Sequence, residues 1–386
     1  MASIWTLEEG SGGSDTPVAL LEHPPVPPDP AQSDPTHSDP APDRPRGWRR
    51  ARKPLIGLLV CLLLLGAVAL GGALWLHAKV DGSIQRLPDP FAELADRPAK
   101  PTSGSAADAM NILVLGTDTR SDTPTTGAEA PGWKPGQARS DTMLLVHLDG
   151  DRRGASVISI PRDAWVDIPG HGKGKVSWAY SFGGPSLTIE TVEKMTDVRV
   201  DHVAVVDWDG FRALTDAIGG VDIEIPKTVY DSARGVRWEA GRHHLDGDEA
   251  LLYVRQRYGL RDGDLDRVAR QQAFLRTLLE QTLEQELRKD PARVLDLLTL
   301  FGEHASVDDD WSTTQMARLA ASLRNLRTGD ISYLTVPTDG TGMVGDQSVV
   351  RLDPSRDRSL WRAVREDRMP QWAADNQDLL TPDVVR

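Results

Sequence analysis

Residues 111–120 read NILVLGTDTR, an apolar run that ends in a glycine turn followed by an aspartate and an arginine. A run in which almost every residue is apolar is typical of a β-strand covered on both faces. Four further runs are strand-like, and several of them are also nearly continuously apolar: Thr142–Leu148 (TMLLVHL), Ser156–Ile160 (SVISI), His202–Val206 (HVAVV) and Val221–Ile225 (VDIEI). The pattern predicts that residues 111–115 form one buried strand of a larger sheet.

Helical periodicity occurs between and after these strands. The predicted helices are Ser186–Met195, Trp208–Ala217, Asp266–Leu287, Pro291–Phe301, Thr313–Leu326 and a short one near Leu360, and the late strands are Ile331–Val336 and Ser348–Leu352. Alternation of this kind predicts an α/β domain with a central mixed sheet flanked by helices. We place this domain at residues 108–375, followed by a C-terminal tail at 376–386.

The first 107 residues differ in composition from the predicted domain. Residues 1–53 are rich in proline and end in a basic cluster, so we expect a disordered segment. Residues 54–77 contain an uncharged run that is long enough to cross a bilayer as a helix. Because the basic cluster precedes this span, the positive-inside rule predicts a single-pass signal anchor in the cell membrane, with a cytoplasmic N-terminus and an extracellular domain. A cleavable signal peptide is the alternative, and residues 78–107 are predicted to be a linker.

Charge and cysteine content exclude several classes of function. The chain carries 44 Lys and Arg against 57 Asp and Glu, a net charge of -13, which argues against nucleic acid as a partner. The single cysteine, Cys61, lies inside the apolar run. The predicted domain therefore has no disulfide, no cysteine zinc site and no cysteine nucleophile.

Arginine and aspartate recur where predicted strands end or begin. Asp118 follows the first strand, the sequence ARSDT places Arg139 and Asp141 at the start of the next one, and Arg162 follows the strand SVISI. Ligands of open α/β sheets gather at strand ends, so these side chains are candidates for a common site. Guanidinium groups fit phosphate oxygens, and carboxylates suit Mg²⁺ or Mn²⁺. Simple surface pairing of arginine with aspartate remains an alternative.

The segment 251–272 (LLYVRQRYGLRDGDLDRVARQQ) is the densest in charged residues. If YVRQR is extended, Arg255 and Arg257 share one face. If the following stretch is helical, Arg267 and Gln271 are one turn apart, and Asp264 stands at the helix entrance.

Taken in order, these motifs resemble the LytR-CpsA-Psr family of membrane-anchored cell-wall enzymes. The resemblance covers roughly Asn111 to Asp367 and rests on the following segments: NILVLGTDTR, RSDTMLLVHLD, SVISIPRDAWVDIPG, DHVAVVDWDGFRALTDAIGGVDIEIP, LDGDEALLYVRQRYGLRDGDLDRVARQQ and TVPTDGTGMVGDQSVVRLD.

The resemblance implies transfer of a glycopolymer from a polyprenyl pyrophosphate donor to a peptidoglycan acceptor, with formation of a phosphodiester bond. It implies that Asp118 and Asp141 bind Mg²⁺ or Mn²⁺, and that Asp264 supports the site. The expected pyrophosphate ligands are Arg139, Arg162, Arg255, Arg257, Arg267 and Gln271. The expected catalytic residues are Asp118, Asp141, Arg162, Arg257 and Arg267.

Two other functions remain open at this point. The first is a non-catalytic regulatory membrane protein that binds lipid-linked pyrophosphate. The second is a pyrophosphatase that hydrolyses the same lipid, with water in place of the sugar hydroxyl.

Overall fold

The computed structural model describes residues 84–119, 126, 133–136, 138–260, 264–285 and 299–382. The predicted cytoplasmic segment 1–53 and the predicted span 54–77 lie outside the described residues. Within the described part of the chain, no helix has the length and apolarity that crossing a membrane requires.

The described residues contain fifteen strands. They are β1 (Gln85–Leu87), β2 (Met110–Thr119), β3 (Ala138–Leu148), β4 (Ala155–Ser159), β5 (Trp165–Ile168), β6 (Gly172–Lys175), β7 (His202–Asp207), β8 (Val221–Ile225), β9 (Val229–Asp231), β10 (Val236–Trp238), β11 (Gly241–Leu245), β12 (Ala305–Asp308), β13 (Ile331–Thr335), β14 (Thr338–Val344) and β15 (Gln347–Leu352). Seven of them form the central sheet, in the order β1-β12-β7-β2-β3-β4-β13. Strand β2 is parallel to β7 and antiparallel to β3, so the predicted mixed sheet is confirmed.

Eight α-helices with both ends inside the described residues accompany these strands. They are α1 (Ser105–Asp108), α2 (Ser177–Thr196), α3 (Trp208–Ala217), α4 (Gly247–Val254), α5 (Asp264–Gln285), α6 (Thr313–Ser322), α7 (Pro354–Arg365) and α8 (Met369–Asp375). Helix α3 has the predicted bounds, whereas α2 begins nine residues before the prediction. The reason is a kink at Gly183 and Gly184, after which Pro185 opens the second part of the helix.

The central sheet is covered by helices on both faces. Leu113 and Leu145 lie on one face, and they share an apolar cluster with side chains of α2, α7 and α8. On the other face, Ile112 packs with Met316 of α6, and Leu144 packs with Leu275 of α5. Burying each such side chain stabilises the fold by about 1.5–3 kcal/mol, which explains why the central strands are apolar at successive positions.

A smaller apolar cluster lies beside the sheet. The antiparallel strand pairs β8–β11 and β9–β10 pack with α4, and Tyr253 and Phe274 belong to the buried part of this cluster. Helix α4 begins with a capping box, in which Asp246 and Glu249 each accept the backbone N–H of the other. This cluster fixes where α4 ends, which matters for the site described below.

The prediction of a linker over residues 78–107 is wrong from residue 84 onward. Strand β1 pairs in parallel with β12 at the edge of the central sheet. Arg97 Nη2 donates to Glu193 Oε1 over 2.8 Å and to Val200 O over 2.5 Å. The Glu193 side chain is buried, with 3% of its surface exposed. The polar and proline-rich composition concealed this packing, because the segment contributes a short backbone pairing, ion pairs and only a few separated apolar side chains, among them Ile84, Leu87 and Phe91. Residues 376–382 of the predicted tail also contact the domain, since Thr381 N donates to Tyr333 O over 2.8 Å.

This packing predicts unequal effects of two neighbouring substitutions. Arg97→Ala leaves the buried carboxylate of Glu193 without its guanidinium, so we expect the free energy of unfolding to fall by about 3 kcal/mol. Lys100→Ala removes an exposed ion pair with Asp201 and should cost less than about 1 kcal/mol. Urea unfolding of both variants measures the difference. Equal and small effects would contradict the docking of this segment.

Candidate functional site

The candidate site lies along the side of the central sheet that is formed by the ends of its strands and not by an outermost strand; below, "edge" means this side. Strands β2, β4 and β7 end at this edge, and β3 begins there, because β3 runs antiparallel to β2 and β4. In sheets of this kind the ends of neighbouring strands form a crevice in which ligands bind.

A β-bulge places the two predicted metal ligands at this edge. Gly116 pairs with Thr142 and Thr117 pairs with Ser140, so Asp141 has no partner on β2. A bulge of this kind changes the direction of a side chain and is common next to active sites. Thr117 and Ser140 are buried, whereas Asp118 and Asp141 are only partly buried. Asp118 Oδ1 accepts the N–H of Arg139 over 3.0 Å, which orients its carboxylate.

Arg162 contacts Asp141 directly. Its Nη1 donates to Asp141 Oδ1 over 2.5 Å, and the two side chains are 22% and 17% exposed. The backbone of Arg162 is fixed because its carbonyl accepts the N–H of Ser177 at the start of α2, over 3.1 Å. The next residue, Asp163, pairs with Lys175 Nζ at 3.0 Å. The turn after β4 therefore carries alternating charges along the edge, and the predicted neighbours Asp141 and Arg162 do meet.

Arg255 approaches the same carboxylates from the end of α4. Its guanidinium lies over the ring of Trp208, with the central carbon 4.6 Å from the ring centroid. Burial and the charge of Arg234 lower the pKa of Arg255, whereas the carboxylates of Asp141 and Asp118 act in the opposite direction. Arg255 is thus close enough to both predicted metal ligands to interact with them electrostatically.

The extended conformation considered for YVRQR is wrong. Residues up to Val254 belong to α4, and Arg255 is the C-cap of this helix. Apolar packing of Leu251 and Val254 in the smaller cluster favours the helix over a strand. Arg257, two residues further on, is exposed.

Helix α5 supports the end of α4. Gln271 Nε2 donates to Val254 O over 3.3 Å and so holds the backbone directly before Arg255. Arg267 lies one turn earlier on α5 and is 7% exposed. The helix begins at Asp264, two residues before the predicted start at Asp266, and the side chain of Asp264 lies outside the described residues. Arg139 is at the edge, with an exposed side chain.

Two further arginines that the sequence analysis did not select lie close by. Arg234 pairs with buried Asp231 at 3.0 Å, and its charge acts on Arg255. Arg270 is 3% exposed, and its Nη1 donates to Gln256 Oε1 over 2.6 Å. The spacing of Arg270, three residues after Arg267 on a predicted helix, was an available signal. No sequence signal pointed to Arg234, because only the hairpin β9–β10 brings it to Arg255.

A sequence model of the LytR_cpsA_psr family matches residues 90–364. The chain belongs to the LytR-CpsA-Psr family. It is 30% identical over 312 residues to the cell wall biosynthesis protein LcpA of Corynebacterium glutamicum, a match that covers 71% of this chain and 60% of LcpA. It is also 30% identical over 294 residues to the teichoic acid transferase TagU of Halalkalibacterium halodurans, covering 75% of this chain and 90% of TagU.

Solved structures of this family have the same fold. The crystal structure of Bacillus subtilis TagV is similar with a TM-score of 0.57 and 25% identity, covering 68% of this chain and 98% of TagV. A structure of TagT bound to LI-WTA is similar with a TM-score of 0.55 and 25% identity, covering 72% of this chain and 98% of the TagT chain. The chain spans 60% of the length of LcpA, so the family assignment concerns the matched domain.

The geometry predicts a loss of anion affinity in one arginine variant. Arg255→Ala removes a guanidinium that is held over Trp208 beside the two carboxylates. A charge-assisted hydrogen bond contributes about 1.5–3 kcal/mol, so affinity for inorganic pyrophosphate should fall roughly tenfold or more. Isothermal titration calorimetry measures this affinity.

Arg318→Ala is the matched control. Arg318 is exposed on α6, which follows the end of β12 at the opposite edge of the sheet. Its substitution should leave pyrophosphate affinity unchanged. Equal loss in both variants would mean that binding depends on overall charge and not on this site.

Proposed function

We propose that this chain is a phosphotransferase that moves a glycopolymer from polyprenyl pyrophosphate to peptidoglycan during cell-wall assembly. Relatives from several organisms are named polyisoprenyl-teichoic acid–peptidoglycan teichoic acid transferases, among them TagU and TagT. In the reaction, a muramic acid hydroxyl loses its proton and attacks the glycan-linked phosphorus. The bond from this phosphorus to the bridging oxygen breaks, polyprenyl phosphate leaves, and a phosphodiester remains.

The observation that carries this proposal is the ion pair of Arg162 with Asp141 at the sheet edge, with Arg255 close enough to interact electrostatically with Asp141 and Asp118. Phosphoryl transfer is catalysed largely by positioning and by neutralising charge on the phosphate oxygens. A preorganised set of guanidinium groups does both, because each presents several N–H donors in a fixed plane.

The individual roles follow from position. Arg162 and Arg255 bind the pyrophosphate from two sides of the edge, one from the turn after β4 and one from the end of α4. Gln271 keeps Arg255 in place through the Val254 carbonyl. Arg139, Arg257 and Arg267 complete the set of donors, and Asp264, at the start of α5, is the supporting residue.

Asp118 and Asp141 suit a hard divalent cation. They supply oxygen ligands from neighbouring strands at one edge, which is the donor type that Mg²⁺ and Mn²⁺ prefer. Asp141 already holds a cation in the structure, namely the guanidinium of Arg162. When bound, a divalent ion would neutralise charge on the leaving phosphate.

We further propose that residues 54–77 anchor the chain in the lipid bilayer, with residues 1–53 in the cytoplasm and the matched domain outside. This arrangement rests on the apolar run and on the basic cluster that precedes it. It places the site on the side of the membrane where peptidoglycan lies.

The direct test is an in vitro transfer assay. Full-length protein is incubated with a polyprenyl-pyrophosphate glycan, Mg²⁺ and peptidoglycan oligomers, and mass spectrometry detects a phosphodiester-linked product. We expect product, loss of product in EDTA, and recovery on adding Mn²⁺ or Mg²⁺. Tight lipid binding without product or free phosphate would favour the regulatory function, and release of phosphate without product would favour the pyrophosphatase.

Two substitutions test the site assignment in the same assay. Asp141→Ala and Arg257→Ala should abolish turnover while the thermal unfolding midpoint changes little, because both side chains are at least partly exposed. Arg318→Ala again serves as the control and should retain full turnover. Retained activity in both site variants, with unchanged metal dependence, would contradict the assignment.

A further inference from the structure

A second group of titratable side chains lies at the opposite end of β3. His147, Asp149 and Asp367 each place one potential ligand atom within 4.8 Å of the other two. His147 Nε2 is 3.2 Å from Asp367 Oδ1 and 3.7 Å from Asp149 Oδ1. His147 is 0% exposed and Asp149 is 7% exposed, so the group is buried, unlike ordinary surface carboxylates.

The tautomer of His147 is fixed by Asn111. Asn111 Nδ2 donates to Arg199 O over 2.9 Å, which identifies the other side-chain atom as the carbonyl oxygen. This oxygen lies 2.8 Å from His147 Nδ1 and can only accept, so Nδ1 carries the proton. In the neutral imidazole, Nε2 then presents a lone pair.

This lone pair faces two carboxylate oxygens, an arrangement that is repulsive unless a metal cation or a second ring proton lies between them. Asp149 Oδ1 is buried and accepts no hydrogen bond from any described residue. A buried acceptor without a donor costs free energy, and an anionic one costs more. A cation at the centre of the group removes both costs at once.

The surrounding backbone is shaped to hold the three side chains. Gly150 N donates to Asp367 Oδ2 over 3.2 Å, and a Cβ at Gly150 would overlap the carbonyl of Ser105. A Cβ at Gly154 would overlap Asp149 Oδ2. Asp367 itself has a φ of +53°, a conformation that side chains rarely adopt. The turn after β3 and the corner between α7 and α8 are thus brought together around this group.

We propose that His147, Asp149 and Asp367 bind a divalent transition-metal ion, with Zn²⁺ as the best match. A tetrahedral zinc site with bonds of about 2.0 Å separates its ligand atoms by roughly 3.3 Å, close to the two distances observed. Imidazole nitrogen with carboxylate oxygen is a common zinc donor set. The hydrogen bond from Nδ1 to Asn111 is the contact that usually orients a metal-binding histidine.

The ion ties the β3–β4 turn to the α7–α8 corner, and its role is structural. His147 lies six positions after Asp141 on β3, a span of roughly 20 Å, so the site is separate from the one proposed for transfer. Binding only to the folded chain makes the ion stabilising. The inference is independent of the transferase activity.

The test uses full-length protein that has been stripped with chelator and then dialysed against micromolar Zn²⁺. Inductively coupled plasma mass spectrometry measures the zinc bound per chain in the parent and in the variants His147→Gln and Asp149→Asn. The variant Asp141→Asn is the control for the other edge. We expect the zinc of this site to persist in Asp141→Asn. We expect its affinity to fall at least about tenfold in the other two variants. Zinc should also raise the unfolding midpoint of the parent and of Asp141→Asn only.

X-ray absorption of the zinc-loaded parent does not require any variant to fold. One imidazole nitrogen and carboxylate oxygens at about 2.0 Å would support the site, since neither Asp118 nor Asp141 brings a histidine. A parent that binds no zinc would overturn the proposal, and a proton on Nε2 would then be the cation. Zinc without an imidazole ligand, or folded His147→Gln that binds zinc as the parent does, would overturn it as well.

Discussion

The register between β2 and β3 is the constraint on which the rest of the structure depends. The two strands pair from Met110 with Leu148 to Thr119 with Ala138, and Leu113 and Leu145 within this pairing are fully buried. A slip by one residue would move these side chains to the opposite packed face of the sheet and disrupt the apolar clusters on both faces, so the register is strongly specified. One strand pair therefore fixes both ends of the sheet in relation to each other.

The same register accounts for both groups of polar side chains. At one end, Asp118 pairs with Arg139 next to the bulge at Asp141; at the other, Asn111 pairs with His147. The bulge allows Thr117 and Ser140 to remain buried while the two aspartates stay accessible at the edge. The buried centre of the strand pair is rigid and apolar, and polar chemistry is confined to its ends.

Apart from Arg139 on β3, the arginines of the site come from elements that the strand pair does not fix. Arg162 depends on the start of α2, and Arg255 depends on the packing of α4 and on Gln271 of α5. Side chains from separate elements allow a phosphate group to be contacted from several directions. The cost is that each contact relies on tertiary packing that a local sequence pattern does not specify.

This difference explains what could be predicted from the sequence. The strand Asn111–Leu115 was predictable because both of its faces pack apolar side chains. The helix Trp208–Ala217 was predictable because one of its faces packs apolar side chains at regular intervals. Strand β1 (Gln85–Leu87) was not, because its sequence QRL is polar and it joins the sheet as an outermost strand by backbone pairing.

Among the site residues, Asp141 and Arg162 were recognisable beside strand ends. Arg234 was not, because a distant hairpin brings it to Arg255. The group around His147 was hidden for a related reason. Its histidine lies within an apolar strand, and Asp367 is far away along the chain.

A crystal structure of the protein with Mn²⁺ and a polyprenyl pyrophosphate, with the manganese located by anomalous scattering, tests the central claim most directly. The account predicts manganese bound to the carboxylates of Asp118 and Asp141, and pyrophosphate oxygens within hydrogen-bonding distance of Arg162 and Arg255. Pyrophosphate bound elsewhere, with the Asp141–Arg162 ion pair intact and no manganese at these aspartates, would contradict it.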